Sequence, residues 1–102
     1  MYKGTTPTFI LTINTDLDLD TDTSEVWVSV KDFEGTVYNW EKTDLEIDEN
    51  EISLTLTQTE TLAFAAGLAE IQVRILTTDG KALATNIGLF NANDVLKGGV
   101  IE

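Results

Sequence analysis

Apolar and polar residues alternate with a period of two through most of the chain. Glu51-Ile52-Ser53-Leu54-Thr55-Leu56-Thr57 alternates without an error, as a half-buried strand should. Ala69, Ile71, Val73 and Ile75 alternate with Glu70, Gln72 and Arg74, and only Leu76 breaks the pattern. Val26, Val28 and Val30 alternate with Glu25, Trp27, Ser29 and Lys31, while Phe9, Leu11 and Ile13 form a row opposite Thr8, Ile10 and Thr12. The sixteen threonines agree with this, because β-branched side chains suit a pleated surface. The pattern predicts strands near 8–14, 25–33, 36–42, 44–48, 51–57, 69–78 and 81–90.

Turn residues separate these stretches. Asp79-Gly80 between two apolar runs predicts a hairpin of type I′, which needs positive φ at both central residues. Glu34-Gly35 is expected to turn the second strand into the third, and Asp48-Glu49-Asn50 the fourth into the fifth. One helical segment stands out near 58–64: Thr57 and Glu60 have capping-box spacing, and Gly67 is expected to stop the helix. Seven short strands in one domain spanning 1–102 predict an all-β, antiparallel Greek-key β-sandwich, immunoglobulin-like in architecture. Residues 91–102, with Gly98-Gly99, read as a C-terminal tail or docking segment.

Composition narrows the chemistry. The 102 residues include no Cys and no His, so a disulfide framework, thiolate zinc, imidazole ligation and histidine-based catalytic dyads are excluded. The formal charge is −12, and it is unevenly placed. Residues 1–51 hold thirteen acids and three bases, net −10; residues 52–102 hold five acids and three bases, net −2. Such a surface repels nucleic-acid phosphate and anionic membranes. The stretch Met1–Pro7 lacks the apolar run of a signal peptide, and the eight residues Leu62–Ala69 are too few to span a bilayer. A soluble protein made in the cytoplasm is the expectation.

The densest acidic cluster is Asp16, Asp18, Asp20 and Asp22. Alternating aspartates resemble the opening of a calcium loop, but the glycine and glutamate that complete that loop are absent, so no metal is assigned. In an extended segment the four carboxylates would share one face opposite Leu17 and Leu19, as a charged edge that discourages aggregation. Nothing selects a catalytic carboxylate pair, and Lys31, Lys42, Arg74 and Lys81 form no phosphate-binding motif. No catalytic residue and no cofactor are assigned.

Apolar residues on the wrong side of their strands carry more information. Ile10, Trp27 and Leu76 occupy positions that should face outward, and the third strand places Tyr38 and Trp40 on one side and Val37 on the other. If the outward residues meet on one sheet they make an apolar contact patch; covered faces or a register slip are the alternatives.

The segments Gly4-Thr5-Thr6-Pro7-Thr8, Leu56-Thr57-Gln58-Thr59-Glu60-Thr61-Leu62 and Glu70–Lys81 resemble small proteins encoded among the virion structural genes of phages and prophages of Clostridia-like bacteria. The order strand, capped turn, strand, Asp-Gly hairpin is also similar to the immunoglobulin-like N-terminal domain of siphophage baseplate upper proteins. The resemblance implies a non-enzymatic virion or tail-associated module that binds virion or baseplate proteins, or itself as a homo-oligomer. An alternative is an acidic inhibitor that imitates nucleic acid for a basic host protein, with Asp16, Asp18, Asp20, Asp22, Glu25 and Asp32 as its surface. A third is a carbohydrate-binding platform of Trp27, Tyr38 and Trp40.

Overall fold

The computed structural model describes residues 1–102. The strands are β1 (Thr8–Thr12), β2 (Thr23–Lys31), β3 (Val37–Glu41), β4 (Glu46–Asp48), β5 (Glu51–Thr55), β6 (Gly67–Thr77), β7 (Ala82–Ala84) and β8 (Gly88–Ala92). A 3-10 turn, Lys42–Asp44, follows β3, and a short helix α1, Gln58–Ala63, bridges β5 and β6. Two antiparallel sheets face each other, one ordered β1-β5-β4 and the other β3-β2-β6, with β7 and β8 in tandem along the far side of β6. The chain thus crosses between sheets as a Greek-key sandwich does. In immunoglobulin lettering β1, β5 and β4 take the places of B, E and D, and the larger sheet those of C′, C, F and G. No strand lies beside β1 where strand A would sit.

The core is what the alternation predicted. Val26, Val28, Val30, Ile52, Leu54, Ala69, Val73 and Ile75 are buried between the sheets, with Leu56 and Phe64 closing the α1 end. Helix α1 begins at the predicted capping box: the Thr57 hydroxyl accepts from the Glu60 N–H, and the Glu60 carboxylate accepts from the Thr57 N–H. It ends at Phe64 in extended backbone, so Gly67 is not its stop; Gly67 instead opens β6.

Three further local expectations differ from the structure. The predicted strand 81–90 is two strands. β7 pairs Ala84 with Arg74, whereas β8 pairs Gly88 with Ile71, so one extra residue is inserted between them. Thr85 bridges the break: its N–H donates to the Val73 carbonyl at 2.9 Å, and its hydroxyl accepts from the Val73 N–H at 3.0 Å. The extra residue reverses which positions face inward, a change that simple alternation does not reveal.

The Asp79-Gly80 turn is not type I′. Only Gly80 has positive φ (90°); the Gly80 N–H reaches the Thr77 carbonyl and the Thr77 N–H the Lys81 carbonyl. This is a three-residue hairpin loop with glycine in the left-handed position. The turn at Glu34-Gly35 repeats it, with Gly35 at φ 91°, Gly35 N–H to the Asp32 carbonyl, and Asp32 N–H to the Thr36 carbonyl.

Residues 16–22 do not form an extended acidic edge. The Asp22 N–H donates to the Asp18 carbonyl, closing a turn that buries Leu19 in the core. At the other end of the chain, residues 1–3 run parallel to the end of β8, with Asn93 N–H donating to the Met1 carbonyl and Lys3 N–H to the Asn93 carbonyl. Beyond that the tail is exposed, and it touches α1 where Gln58 holds both the N–H and the carbonyl of Ile101.

Candidate interaction surface

The outer face of the larger sheet is set by three registers. β2 pairs Trp27 with Glu41 on β3 and with Arg74 on β6; it also pairs Glu25 with Leu76, which in turn faces Ala82 on β7. Trp27 and Leu76 are therefore diagonal neighbours on one surface, within side-chain reach of each other. Trp27 is 37% exposed and its indole N–H points at Glu25. With Ser29, Asn39, Arg74 and Ala82 these residues line a shallow depression of about 420 Å³. Arg74 lies within it and makes no salt bridge; the three ion pairs of the protein are Lys3–Asp94, Lys31–Glu70 and Lys81–Asp79. The depression can hold an apolar side chain while a guanidinium offers paired donors to a carboxylate or carbonyl beside it.

Ile10 is 61% exposed, but it lies on β1, on the outer face of the other sheet. It does not join Trp27 and Leu76, so the outward apolar residues do not make a single patch. Tyr38 and Trp40 face the core, Trp40 being only 8% exposed. They hold α1: the Trp40 indole donates to Glu60 at 2.6 Å, and both rings meet Phe64 edge-on. Trp27 and Trp40 thus lie on opposite faces of one sheet, and the three aromatics form no common platform.

The acidic residues divide in the same way. The carboxylates of Asp18 and Asp22 accept backbone N–H groups within their own turn, from Asp20 and Asp18 respectively. No group of three or more carboxylates is placed to share a metal ion. Asp32 is 5% exposed, so it belongs to no acidic surface. Its Oδ1 accepts the N–H groups of Glu34 and Thr36, and its Oδ2 accepts that of Ala65, 33 residues away. The Tyr38 hydroxyl lies 3.4 Å from the same Oδ2 and 3.0 Å from the Ala63 carbonyl.

Each displaced pKa belongs to this internal network. Burial pushes the Asp32 carboxyl up, but the N–H groups of Ala65, Thr36 and Glu34 and the Tyr38 hydroxyl together outweigh it and hold it below its ordinary value. Burial likewise opposes ionisation of Glu60, and the Thr57 N–H, the Trp40 indole and the Thr57 hydroxyl reverse the balance. Tyr38 is raised, by burial first and then by the negative charge of Asp32. No buried side-chain nitrogen or oxygen lacks a hydrogen-bond partner. These groups anchor turns and caps and do not converge on the depression beside Trp27.

Arg74 and Asp32 are the two residues whose structural roles the sequence pattern does not show. Arg74 reads as an ordinary outward base. Its lack of a partner depends on which side chains lie across β2 and β7. Asp32 had a signal, the Asp-x-x-Gly spacing of a capped turn, but its reach to Ala65 depends on the fold. No helix is long and apolar enough to cross a membrane. Comparison with protein-family models, curated proteins and solved structures finds no match for this chain.

Proposed function

We propose that this protein is a non-enzymatic structural or tail/baseplate accessory protein of a phage or prophage, made in the host cytoplasm and carried into the virion. It acts as a protein–protein interaction module through the outer face of its larger sheet. One observation supports the contact surface above the others: Trp27 and Leu76 form an apolar floor beside Arg74, a cation that makes no salt bridge within its own chain although Glu25 lines the same depression. Aromatic and Arg side chains together are the residue types that dominate binding energy at protein interfaces. The phage setting rests on the sequence resemblance.

The test is co-purification with virions. Tagged wild-type protein is expected in purified particles, and Trp27→Ala is expected to reduce incorporation at least about tenfold, the scale of an interface hot spot. Its melting temperature should stay near wild type, because the side chain lies outside the core. Absence of the wild-type protein from particles overturns the reading.

A further inference from the structure

The two longest stretches of the chain without Asp, Glu, Lys or Arg are 4–15 and 82–93. The fold places both on the same flank of the sandwich: the first contains β1, at the edge of the smaller sheet, and the second contains β7 and β8, at the edge of the larger one. Between them runs an apolar groove of about 640 Å³, lined by Leu11, Ile13, Ile71, Val73, Ile75 and Leu83. In a chain of charge −12 this is the flank along which two copies can approach with least repulsion.

Strand β1 also has an unused edge. Pro7 and Ile13 bond toward β5, through Leu56 N–H and Asn50 carbonyl respectively. In an antiparallel ladder the bonding residues alternate, so Phe9 and Leu11 bond the same way. The N–H and carbonyl groups of Thr8, Ile10 and Thr12 therefore point away from β5, where no strand receives them. Natural edges are usually shielded by charge, proline, a bulge or extreme shortness. β4, at the opposite edge of this sheet, is short and carries Glu46 and Asp48. β1 reads Thr-Phe-Ile-Leu-Thr and has none of these protections.

That sequence is nearly symmetric about Ile10, as pairing with a second copy of itself requires. We infer that β1 pairs antiparallel with β1 of a second copy about a two-fold axis at Ile10, joining the two smaller sheets into one of six strands. The inference concerns the edge of the sandwich and is independent of the outer face around Trp27. In this register Ile10 meets Ile10 of the second copy, with their free N–H and carbonyl groups exchanged. Thr8 meets Thr12, and Phe9 meets Leu11. The axis stands perpendicular to the sheets and so turns the two apolar grooves toward each other.

The charges do not forbid it. Glu51, opposite Thr12 on β5, would lie three strand spacings across and four residues along from its counterpart, roughly 20 Å away. That exceeds the screening length of about 8 Å at physiological salt. A pair of five-residue strands buries less than the roughly 1,200 Å² of a standard interface, so the dimer is weak, concentration-dependent and strengthened by salt.

Sedimentation equilibrium up to about 1 mM protein, at low and high salt, is the first measurement. The mass is expected to rise from 11.2 kDa toward twice that value, at lower concentration in high salt. Ile10→Lys should abolish the rise with its melting temperature retained, and Trp27→Ala should leave it unchanged. The chain has no Cys, so Ile10→Cys gives a clean covalent readout: Cα atoms of a hydrogen-bonded antiparallel pair lie about 5.5 Å apart, within disulfide range. Mild oxidation should cross-link Ile10→Cys into a dimer at least tenfold faster than Trp27→Cys. The inference is overturned by a wild-type protein that stays monomeric at both salts, by association that Ile10→Lys leaves intact, or by equal cross-linking at the two positions. If Ile10→Lys does not fold, the cross-linking comparison decides.

Discussion

The turns at 32–36 and 77–81 share one backbone pattern but differ in their anchor. In each, the first residue accepts from the glycine N–H through its carbonyl and donates its own N–H to the carbonyl four residues on. In each, a side-chain oxygen of that first residue accepts the N–H at the end of the turn: Asp32 Oδ1 from Thr36 at 3.1 Å, and Thr77 Oγ1 from Lys81 at 2.9 Å. The difference is reach. The Thr77 hydroxyl is used up locally, also donating to Asp79. The second oxygen of Asp32 extends beyond its turn to Ala65 and Tyr38, tying the β2–β3 hairpin to the segment between α1 and β6. A carboxylate has two oxygens and about four acceptor sites, so one side chain can close a turn and join two parts of the chain.

The largest test of this difference is Asp32→Ala against Thr77→Ala. Removing Asp32 leaves three partly buried backbone N–H groups without their acceptor, and is expected to cost about 3–5 kcal/mol. Removing the Thr77 hydroxyl, which is as buried as Asp32, orphans only one N–H and should cost about 1 kcal/mol. Urea unfolding at neutral pH measures both. Equal costs would reduce Asp32 to a local turn residue.

A smaller separation comes from pH. Asp32 and Glu60 both have folded-state pKa values below their ordinary ones. Their contribution is therefore fully present above the unfolded carboxyl range of about 3.9–4.3 and is lost as pH falls through the folded values. Tyr38 is raised, so its contribution is complete below its unfolded value of about 10 and is lost as pH climbs through the folded one. Asp32→Asn should flatten part of the acid limb and bring the alkaline limb down in size, since it removes the charge that adds to the effect of burial on Tyr38. Thr77→Ala should leave both limbs as in wild type. Urea midpoints across pH 3 to 11 would show it.

The smallest difference between the two turns is expected at their glycines. A Cβ added at Gly35 or Gly80 meets nothing within 4 Å, and both residues sit at φ near 90°. Gly35→Ala and Gly80→Ala should each cost about 1–2 kcal/mol from backbone conformation alone. A clear excess at Gly35 would mean that displacing Asp32 propagates to Ala65.

Much of this architecture was legible because its causes are local. Alternation at Val26-Val28-Val30 and Ile52-Leu54 marks a buried face directly, and Thr57 and Glu60 carry their cap within one turn. The break after Asp79-Gly80 has no local mark, because a one-residue bulge leaves Ala82–Ala92 looking uniformly strand-like. The acidic run departs from an extended edge because Leu19 is pulled into the core, folding Asp18 and Asp22 onto each other. Neither cause is visible without the neighbouring sheet.

For the contact surfaces the division is equally physical. Residue parity along a strand already set Ile10, Trp27 and Leu76 opposite the apolar rows, because successive side chains point to opposite faces. The sequence also determined where the charge is absent. Which sheet each strand joins depends on pairings between residues far apart in the chain. That Trp27 and Leu76 share a face, that Ile10 stands on the other sheet, and that the two uncharged stretches line one open flank therefore follows from the assembled sheets alone.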